Sequence, residues 1–297
     1  MKTYILISHL SIHNANALSS TITIGVPAMT AWLGAVHAMQ RTLHCLNEFS
    51  DLTMDGVAVS FHDYRLQTYC GPHDRIHSII GTANPLRRKK GTNDVERPPF
   101  IEEGRIDLDV SLLIEVQGLN PTYDDLLKEK LYQQIQCMKF AGGDVISSKT
   151  IEILSVLEND DTENRDIILR LMPGFVLTER RDLLCLDEEG DSLQSLLSYL
   201  YLYAEPISDE KENISWEYHR KCQGWIVPIC VGFKGITPLG KVKGQRDGKV
   251  DHQFAEPLVT LGEFKMAYRF NRIEDMMWRY QYDSSQSLYV CVNQEHH

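Results

Sequence analysis

The sequence lacks the patterns of membrane-spanning and secreted proteins. No run approaches the roughly 18 to 20 consecutive apolar residues that a membrane-spanning helix needs. The apolar stretch at residues 4–7 is too short for the core of a secretion signal. The 7 cysteines are odd in number and scattered without a C-x-x-C pair, which argues against a disulfide framework and a thiolate zinc site. We therefore expect a cytoplasmic protein with reduced cysteines.

Signatures of common enzymes are absent as well. The sequence contains no G-x-S-x-G, H-E-x-x-H or G-x-G-x-x-G motif, and residues 244–249 differ from a P-loop in spacing and lack its Ser or Thr. The pattern nearest to a metal site is Cys70, His73 and His77, for which no fourth ligand lies nearby in the sequence. We expect no nucleotide hydrolysis, no cofactor and no metal, and we interpret residues 70–77 as a polar loop.

Composition and length indicate an ordinary globular protein. At 297 residues the chain is long enough for one large domain or two of average size. With 43% hydrophobic and 24% charged residues, it is neither collagen-like, nor a long coiled coil, nor wholly disordered.

Charge is distributed unevenly along the chain. Residues 152–217 contain 17 Asp and Glu against 5 Lys and Arg, a net charge of −12, whereas the whole chain has −11, so the remainder has +1. Because salt screens charges beyond about 8 to 10 Å, basic patches can bind phosphates even on an acidic protein. Solvated loops explain such patches equally well. The basic stretches are residues 84–91, with Arg87, Arg88, Lys89 and Lys90, and residues 232–249, with Lys241, Lys243 and Arg246.

Apolar periodicity predicts an α+β fold for residues 1–155. The order strand, helix, strand, strand, helix, strand is the split pattern of ferredoxin-like domains, with an arm between the second and third strands. Topology of this kind is by itself a weak indication of function. The predicted elements are strands at 2–10, 54–69, 105–116 and 144–154, helices at 28–47 and 123–140, a polar loop at 11–27 and an arm at 71–103.

The rest of the chain is predicted to form two further parts. Residues 156–220 are acidic and are expected to be mainly helical, with Asp191 as a helix cap. Residues 221–297 are expected to contain strands and a Gly-rich loop at 232–248. We therefore predict three segments: 1–155, 156–220 and 221–297.

Short motifs in collinear order resemble one protein family. The chain resembles the second Csy subunit of type I-F CRISPR surveillance complexes, a member of the repeat-associated (RAMP) superfamily. The motifs are LSIHNANALSS at 10–20, GVP at 25–27, AVHAMQR at 35–41, NPL at 84–86, EEGR at 102–105, AGG at 141–143, LMPGF at 171–175, GWIVP at 224–228, PL at 238–239 and LGE at 261–263.

The resemblance implies a non-catalytic, RNA-binding subunit. It implies an RNA-recognition-like core with a thumb-like hairpin, and binding of the 5′ handle of the CRISPR RNA. The role is non-catalytic because another subunit cuts that RNA in this family. The expected protein partners are the large Csy subunit and the backbone subunit, whose filament the chain would cap, and target DNA is reached indirectly through the complex. The thumb would be the arm at 71–103, which contains Asn84, Arg87, Arg88, Lys89 and Lys90.

The same resemblance suggests the residues that contact RNA. Asn14 and Asn16 offer donors and acceptors to base edges, and Ser19 and Ser20 can donate to phosphate or to the 2′-hydroxyl. The alternative is that these four side chains hold their own loop together. Positive charge would come from Arg41, Arg105, Lys241, Lys243 and Arg246, whereas His37, one helical turn before Arg41, contacts RNA or is a structural histidine.

Other functions are compatible with the same residues. A metal-independent endoribonuclease could use His9, His13 and His37 for acid–base chemistry, and a protein-only scaffold would not touch RNA. The acidic stretch is expected to face away from RNA, toward solvent or a basic surface of a partner subunit.

Overall fold

The protein has an α+β architecture with a mostly antiparallel sheet. The computed structural model describes residues 2–79, 87–96, 104–157, 161–186, 191–208 and 214–293, and Asn84 of the predicted thumb lies outside these ranges. The α-helices are α1 (Met29–Leu43), α2 (Asp124–Ile135), α3 (Asp161–Arg170) and α4 (Ser192–Leu200). The strands are β1 (Lys2–Asn16), β2 (Thr53–Leu66), β3 (Thr68–Tyr69), β4 (Ser78–Ile79), β5 (Arg87–Arg88), β6 (Val95–Glu96), β7 (Arg105–Gln117), β8 (Lys139–Phe140), β9 (Gly143–Ser147), β10 (Thr150–Val156), β11 (Phe175–Glu179), β12 (Tyr203–Ser208), β13 (Ile214–His219), β14 (Trp225–Gly235), β15 (Ala255–Met266), β16 (Arg279–Asp283) and β17 (Leu288–Val292).

One large sheet organises the molecule. Its strand order is β16-β17-β14-β15-β11-β2-β7-β1-β9-β8, and β10 also pairs with β1. β10 pairs with residues 2–8 of β1, and β9 pairs with residues 11–13. Short two-stranded sheets are formed by β3 with β4, β5 with β6, and β12 with β13.

Both faces of this sheet are covered near its centre. Successive side chains of a strand point to opposite faces. Ile5 and Ile7 of β1 pack in the cluster that contains α1 and α2, whereas Tyr4 and Leu6 pack with α3 and the segment after β15. We refer to these as the α1 face and the α3 face. The centre of the sheet is therefore apolar on both sides, unlike a sheet with one solvated face.

β1 is longer than predicted and takes up the first part of the expected polar loop at 11–27. Ile12 and Ala15 are buried against the core, so the strand continues to Asn16 although its sequence is polar. The pairing with β7 shifts register between Ile7 and Leu10 and again between Ile12 and Ala15. His9 and Asn14 have φ angles of 48° and 58° at these irregularities. The loop prediction was wrong for residues 11–16 because bulges hide the period-2 pattern.

Both predicted helices of the first part are shorter than expected. α1 ends at Leu43. The His44 Nε2–H donates a hydrogen bond to the Leu52 carbonyl at 2.6 Å as the chain turns toward β2. α2 ends at Ile135, and the last residues of the predicted helix form β8 instead. β8 pairs with the start of β9 across a turn in which Gly142 has a φ of 79°. The predicted strand at 144–154 is two strands, β9 and β10.

The acidic segment 156–220 contains strands as well as helices. Besides α3 and α4, β11 enters the large sheet between β15 and β2, and β12 pairs with β13. The expectation of a mainly helical segment missed these strands. Strands from both sides of residue 155 thus join one sheet, and the division into three segments stays a prediction.

Among the described residues, no helix is long and apolar enough to cross a bilayer.

Candidate nucleic-acid interface

A pocket whose lining includes five Phe, Tyr or Trp side chains lies between the loop before α1 and the α1 face of the sheet. Its volume is about 260 Å³. This size suits one flat ring system better than a large ligand. The lining residues of this aromatic pocket are Ile24, Gly25, Val26, Phe61, His62, Asp63, Tyr64, Leu66, Ile106, Phe175, Trp225, Val227, Pro228 and Phe264.

Strand pairing brings together aromatic residues that are far apart in sequence. Phe61 pairs with Phe175 across β2 and β11, and Phe264 pairs with Trp225 across β15 and β14. Because β11 lies between β2 and β15, these pairs are neighbours in the sheet. Three of the motifs that carry the family resemblance, at 25–27, 171–175 and 224–228, therefore meet at one pocket.

The rings form a packed base with an accessible mouth. The centroid of Trp225 lies 4.8 Å from that of Phe264 and 5.3 Å from that of Phe175. Tyr64 lies 6.3 Å from Trp225, and these two residues are 53% and 39% exposed, whereas Phe61 is 4% exposed. A base from a single-stranded nucleic acid can stack on such exposed rings, and this stacking depends little on sequence.

The loop that forms the other wall is held by its own polar side chains. The Asn16 carboxamide bonds both the N–H and the carbonyl of Leu18, at 3.1 Å and 2.9 Å. The hydroxyls of Ser19 and Ser20 lie 3.0 Å and 2.7 Å from the Thr23 hydroxyl. These contacts within the loop are the ones expected if the side chains hold their own loop together. RNA contact by Asn16, Ser19 and Ser20 stays a prediction.

Gly104 allows this wall to approach β7. A side chain at Gly104 would meet Leu18 at 3.1 Å and Ile24 at 3.3 Å. The Ala17 N–H also donates to the Gly104 carbonyl at 2.9 Å. The glycine of the EEGR motif thus fits a close packing requirement beside the pocket.

Asn14 and Arg105 are brought together at the ends of β1 and β7. The Arg105 guanidinium donates to the Asn14 carbonyl at 3.2 Å, and the Asn14 N–H donates to the Asp107 carboxylate at 2.9 Å. The Gln67 amide donates to the Asn14 side chain at 2.6 Å. Arg105 is half-buried and is the predicted cation nearest in sequence to the pocket residue Ile106.

The other predicted cations lie on different surface segments. His37 and Arg41 are exposed on one side of α1, as their spacing predicted, and neither lines the aromatic pocket. Lys241 pairs with Asp251 at 3.2 Å in the loop after β14. Lys243 and Arg246 are exposed in that loop, Arg88, Lys89 and Lys90 are exposed at β5 and the turn after it, and Arg87 lies in β5. The structure does not gather these groups at the pocket.

A histidine cluster occupies the α3 face of the sheet beside the pocket. The His62 Nδ1–H donates to the Pro173 carbonyl at 2.8 Å, so Nε2 accepts from the Ser111 hydroxyl at 2.7 Å. The His9 ring stacks on that of His62 with centroids 4.3 Å apart and lies 3.2 Å from the Asp109 carboxylate. Burial lowers the pKa of His62, and the proximity of His9 acts in the same direction. A neutral His62 fits both hydrogen bonds.

The metal-like pattern of the sequence has no counterpart in the structure. Within the described ranges, no group of three or more His, Cys, Asp or Glu could hold a metal ion. The Cys70 thiol donates instead to the Asp74 carbonyl at 3.4 Å, and the Thr68 hydroxyl lies 3.2 Å from His77 Nδ1.

Sequence reasoning missed the aromatic residues as site residues. Tyr64 falls in the predicted strand 54–69, and Trp225 in the motif at 224–228. The available signal is that Phe175 and Trp225 each follow a motif glycine at the start of a strand, and this signal gains meaning only when the strand order is known.

Comparison with known proteins agrees with the resemblance seen in the motifs. Residues 5–291 match the family model described as CRISPR-associated protein (Cas_Csy2). The chain is 31% identical over 316 residues to the CRISPR-associated protein Csy2 of Pseudomonas aeruginosa (strain UCBPP-PA14), and the match covers 96% of this chain and 93% of that protein.

Proposed function

The chain belongs to the Csy2 family of type I-F CRISPR systems, and from this premise we propose that it is a non-catalytic subunit that binds the 5′ handle of the CRISPR RNA. In this proposal it pairs with the large Csy subunit, caps the filament of backbone subunits and reaches target DNA through the assembled complex. The cytoplasmic location stays a prediction of the sequence.

The aromatic pocket is the observation that carries the RNA-binding proposal. Sequence-specific RNA recognition takes unpaired bases out of the stack and places them on aromatic side chains. Tyr64 and Trp225 offer exposed rings for this purpose, and Phe61, Phe175 and Phe264 support them from below. We assign one base of the handle to this pocket, with Arg105 near the adjoining phosphates.

The strand order supports a ferredoxin-like core of the RAMP type. β10, β1, β7 and β2 lie side by side in that order, and each neighbouring pair is antiparallel. With α1 between β1 and β2 and α2 between β7 and β10, this is the arrangement expected of the split βαβ pattern. The thumb would be the arm between β2 and β7, of which β3 to β6 are described.

The test is to recover the bound nucleic acid. The chain is co-expressed with the large Csy subunit and a CRISPR RNA, purified on its own tag, and the retained nucleic acid is sequenced. We expect full-length RNA with one intact, repeat-derived 5′ end in a salt-sensitive complex. Protein free of RNA would refute the proposal in favour of the scaffold alternative.

The endoribonuclease alternative draws its acid–base groups from His9, His13 and His37. His9 and His13 contact Asp109 and Asp107, at 3.2 Å and 2.7 Å, on the α3 face. His37 lies on the outer side of α1, which packs on the opposite face. The sheet and helix thus separate His37 from the other two. RNA shortened at a fixed position by the pure protein, with the cut lost in His37→Ala, would nevertheless establish the nuclease.

A further inference from the structure

The strands β12 and β13 form a ribbon that is separate from the large sheet. The two strands pair antiparallel through six residue pairs, from Tyr203 with His219 to Ser208 with Ile214. Every residue of both strands is exposed. An isolated two-stranded ribbon is at best marginally stable in water. A ribbon of this kind gains stability when another surface covers it.

One side of the ribbon is apolar. Because side chains alternate along a strand and paired residues share a side, Trp216 lies with Pro206, and Tyr218 lies with Ala204. Ile214 extends the same side. Ile214, Trp216 and Tyr218 are 68%, 57% and 61% exposed, which leaves large apolar side chains in water. Contiguous exposed apolar surface of this kind marks an interaction site.

The other side of the ribbon carries two acidic residues between Tyr203 and Ile207 and their partners. Glu205 and Glu217 are paired directly opposite each other, an arrangement of like charges that is unfavourable without a nearby cation. His219 Nε2 lies 3.7 Å from the Glu205 carboxylate, and the His219 ring stacks on Tyr203 with centroids 5.6 Å apart. The surrounding stretch 152–217 has 17 acidic and 5 basic residues, a net charge of −12. RNA phosphates are repelled by this charge, whereas a basic protein surface is attracted.

The base of the ribbon is attached to α4. The Lys221 ammonium donates to the Ser198 hydroxyl at 3.1 Å and lies 4.1 Å from the centre of the Tyr199 ring. The Tyr203 hydroxyl donates to the Ser198 carbonyl at 3.2 Å. α4 in turn packs on β14 and β15 through Leu196 and Tyr199. The ribbon therefore projects from an ordered support, which suits an element that presents a surface to another molecule.

We propose that the apolar side of this ribbon binds a partner protein, in an apolar groove with Lys and Arg side chains along its rim. Trp216 and Tyr218 enter the groove, and the negative charge of Glu205 and Glu217 on the opposite side of the ribbon attracts the Lys and Arg side chains that flank it. Aromatic side chains of this size are typical energetic centres of protein interfaces. The proposal rests on the proposed function for the existence of neighbouring subunits, and it assigns the ribbon to a protein and not to RNA.

The test uses the tagged chain in the complete complex with its protein subunits and CRISPR RNA. The double variant Trp216→Ser/Tyr218→Ser is compared with the wild type and with Tyr282→Ser as the matched control, because Tyr282 is 62% exposed on β16 of the large sheet. We expect the double variant to bind one protein subunit at least about tenfold more weakly, while the control stays as the wild type. Unchanged circular dichroism and melting temperature establish that the variants are folded.

A second pair of variants tests the charges. Glu205→Lys/Glu217→Lys should weaken the same protein contact, and the loss should be larger at low salt because charge repulsion is screened at high salt. If these variants instead retain more RNA with an unchanged set of subunits, the ribbon contacts RNA and the proposal is wrong. If the wild type is a dimer that the double variant converts to a monomer, the partner is a second copy of this chain and the proposal is also wrong.

Failure of this proposal is distinguishable from failure of the proposed function. If the wild type retains RNA and all subunits, and the ribbon variants retain them in the same amounts at every salt concentration, only the ribbon assignment is refuted. If the wild type retains neither RNA nor subunits, the proposed function is refuted, and the ribbon proposal, which depends on it, falls as well.

Discussion

Trp225 and Phe264 face each other across β14 and β15, and their ring centroids lie 4.8 Å apart. Phe264 in turn lies 5.3 Å from Phe61, whose ring packs edge-on against Trp32 of α1 at 5.9 Å. A chain of aromatic contacts thus runs from the buried side of α1 to the exposed Trp225. This chain connects the core to the mouth of the aromatic pocket and holds the Trp225 ring in place.

Replacing Trp225 with alanine is predicted to weaken RNA binding. Stacking of a base on an aromatic ring contributes about 1 to 3 kcal/mol, so affinity for the handle should fall about 5- to 150-fold. The measurement is titration of the complex into handle RNA that carries the fluorescent base 2-aminopurine at successive positions. One position should lose its stacking-dependent quenching in Trp225→Ala and keep it in the control Tyr282→Ala. Equal quenching at every position in both variants would exclude the pocket as a base site.

Arg41 and Arg105 are predicted to differ in their effects on stability. Arg41 is exposed on α1, so Arg41→Ala should leave the melting temperature unchanged, whereas Arg105→Ala removes a hydrogen bond to the Asn14 carbonyl and should cost about 1 kcal/mol. If each binds one RNA phosphate, each variant should also lower the slope of log affinity against log salt by about 0.7. Arg272→Ala, at an exposed residue after β15, is the control. A slope unchanged in both variants would remove these residues from the RNA interface.

Gly232 is predicted to be essential for stability. A side chain there would overlap the Tyr289 carbonyl of the neighbouring strand β17 and lie 2.8 Å from the Val290 Cα. Because backbone atoms of a paired strand cannot move independently, Gly232→Ala should lower the free energy of unfolding by about 2 to 4 kcal/mol. Gly240→Ala, where nothing lies within 4 Å of the added carbon, should be nearly neutral. Urea denaturation of both variants measures the difference, and equal midpoints would contradict the predicted overlap.

His62 is predicted to make stability depend on pH. Burial lowers its pKa in the folded protein below that of the unfolded chain, about 6.5, so the unfolded state binds more protons as the solution is acidified. The free energy of unfolding is therefore highest above the unfolded pKa, and it falls as the pH drops from the unfolded pKa toward the lower pKa of the folded protein. His62→Asn can keep a donor toward the Pro173 carbonyl without an ionisable ring, and it should show a smaller loss of stability between pH 7.5 and pH 5.5. Urea unfolding at the two pH values measures this, with His37→Asn as the exposed control. A wild type and a His62→Asn variant with equal pH dependence would assign the effect to other groups.

Much of the fold could be predicted from local pattern. The apolar spacing of α1 and the alternation of β7 predicted both elements within a few residues, because a helix stripe and a strand face each have a fixed period. The end of β1 could not be predicted, because bulges at His9 and Asn14 break that period and burial of Ala15 depends on distant residues. β11 was missed for a similar reason, since its five residues gain their partners only from β15 and β2.

The candidate site divides in the same way. By itself, the sequence determined the family, through motifs in collinear order, and the spacing that places His37 and Arg41 on one side of α1. Only the tertiary structure decided that Phe61, Phe175, Trp225 and Phe264 meet, because strand order in a sheet is set by burial and hydrogen bonding between segments that are far apart in the sequence. It also decided that Ala204 and Pro206 lie beside Trp216 and Tyr218 on a side of the ribbon that is exposed, because the register between two strands determines which residues of one lie beside those of the other.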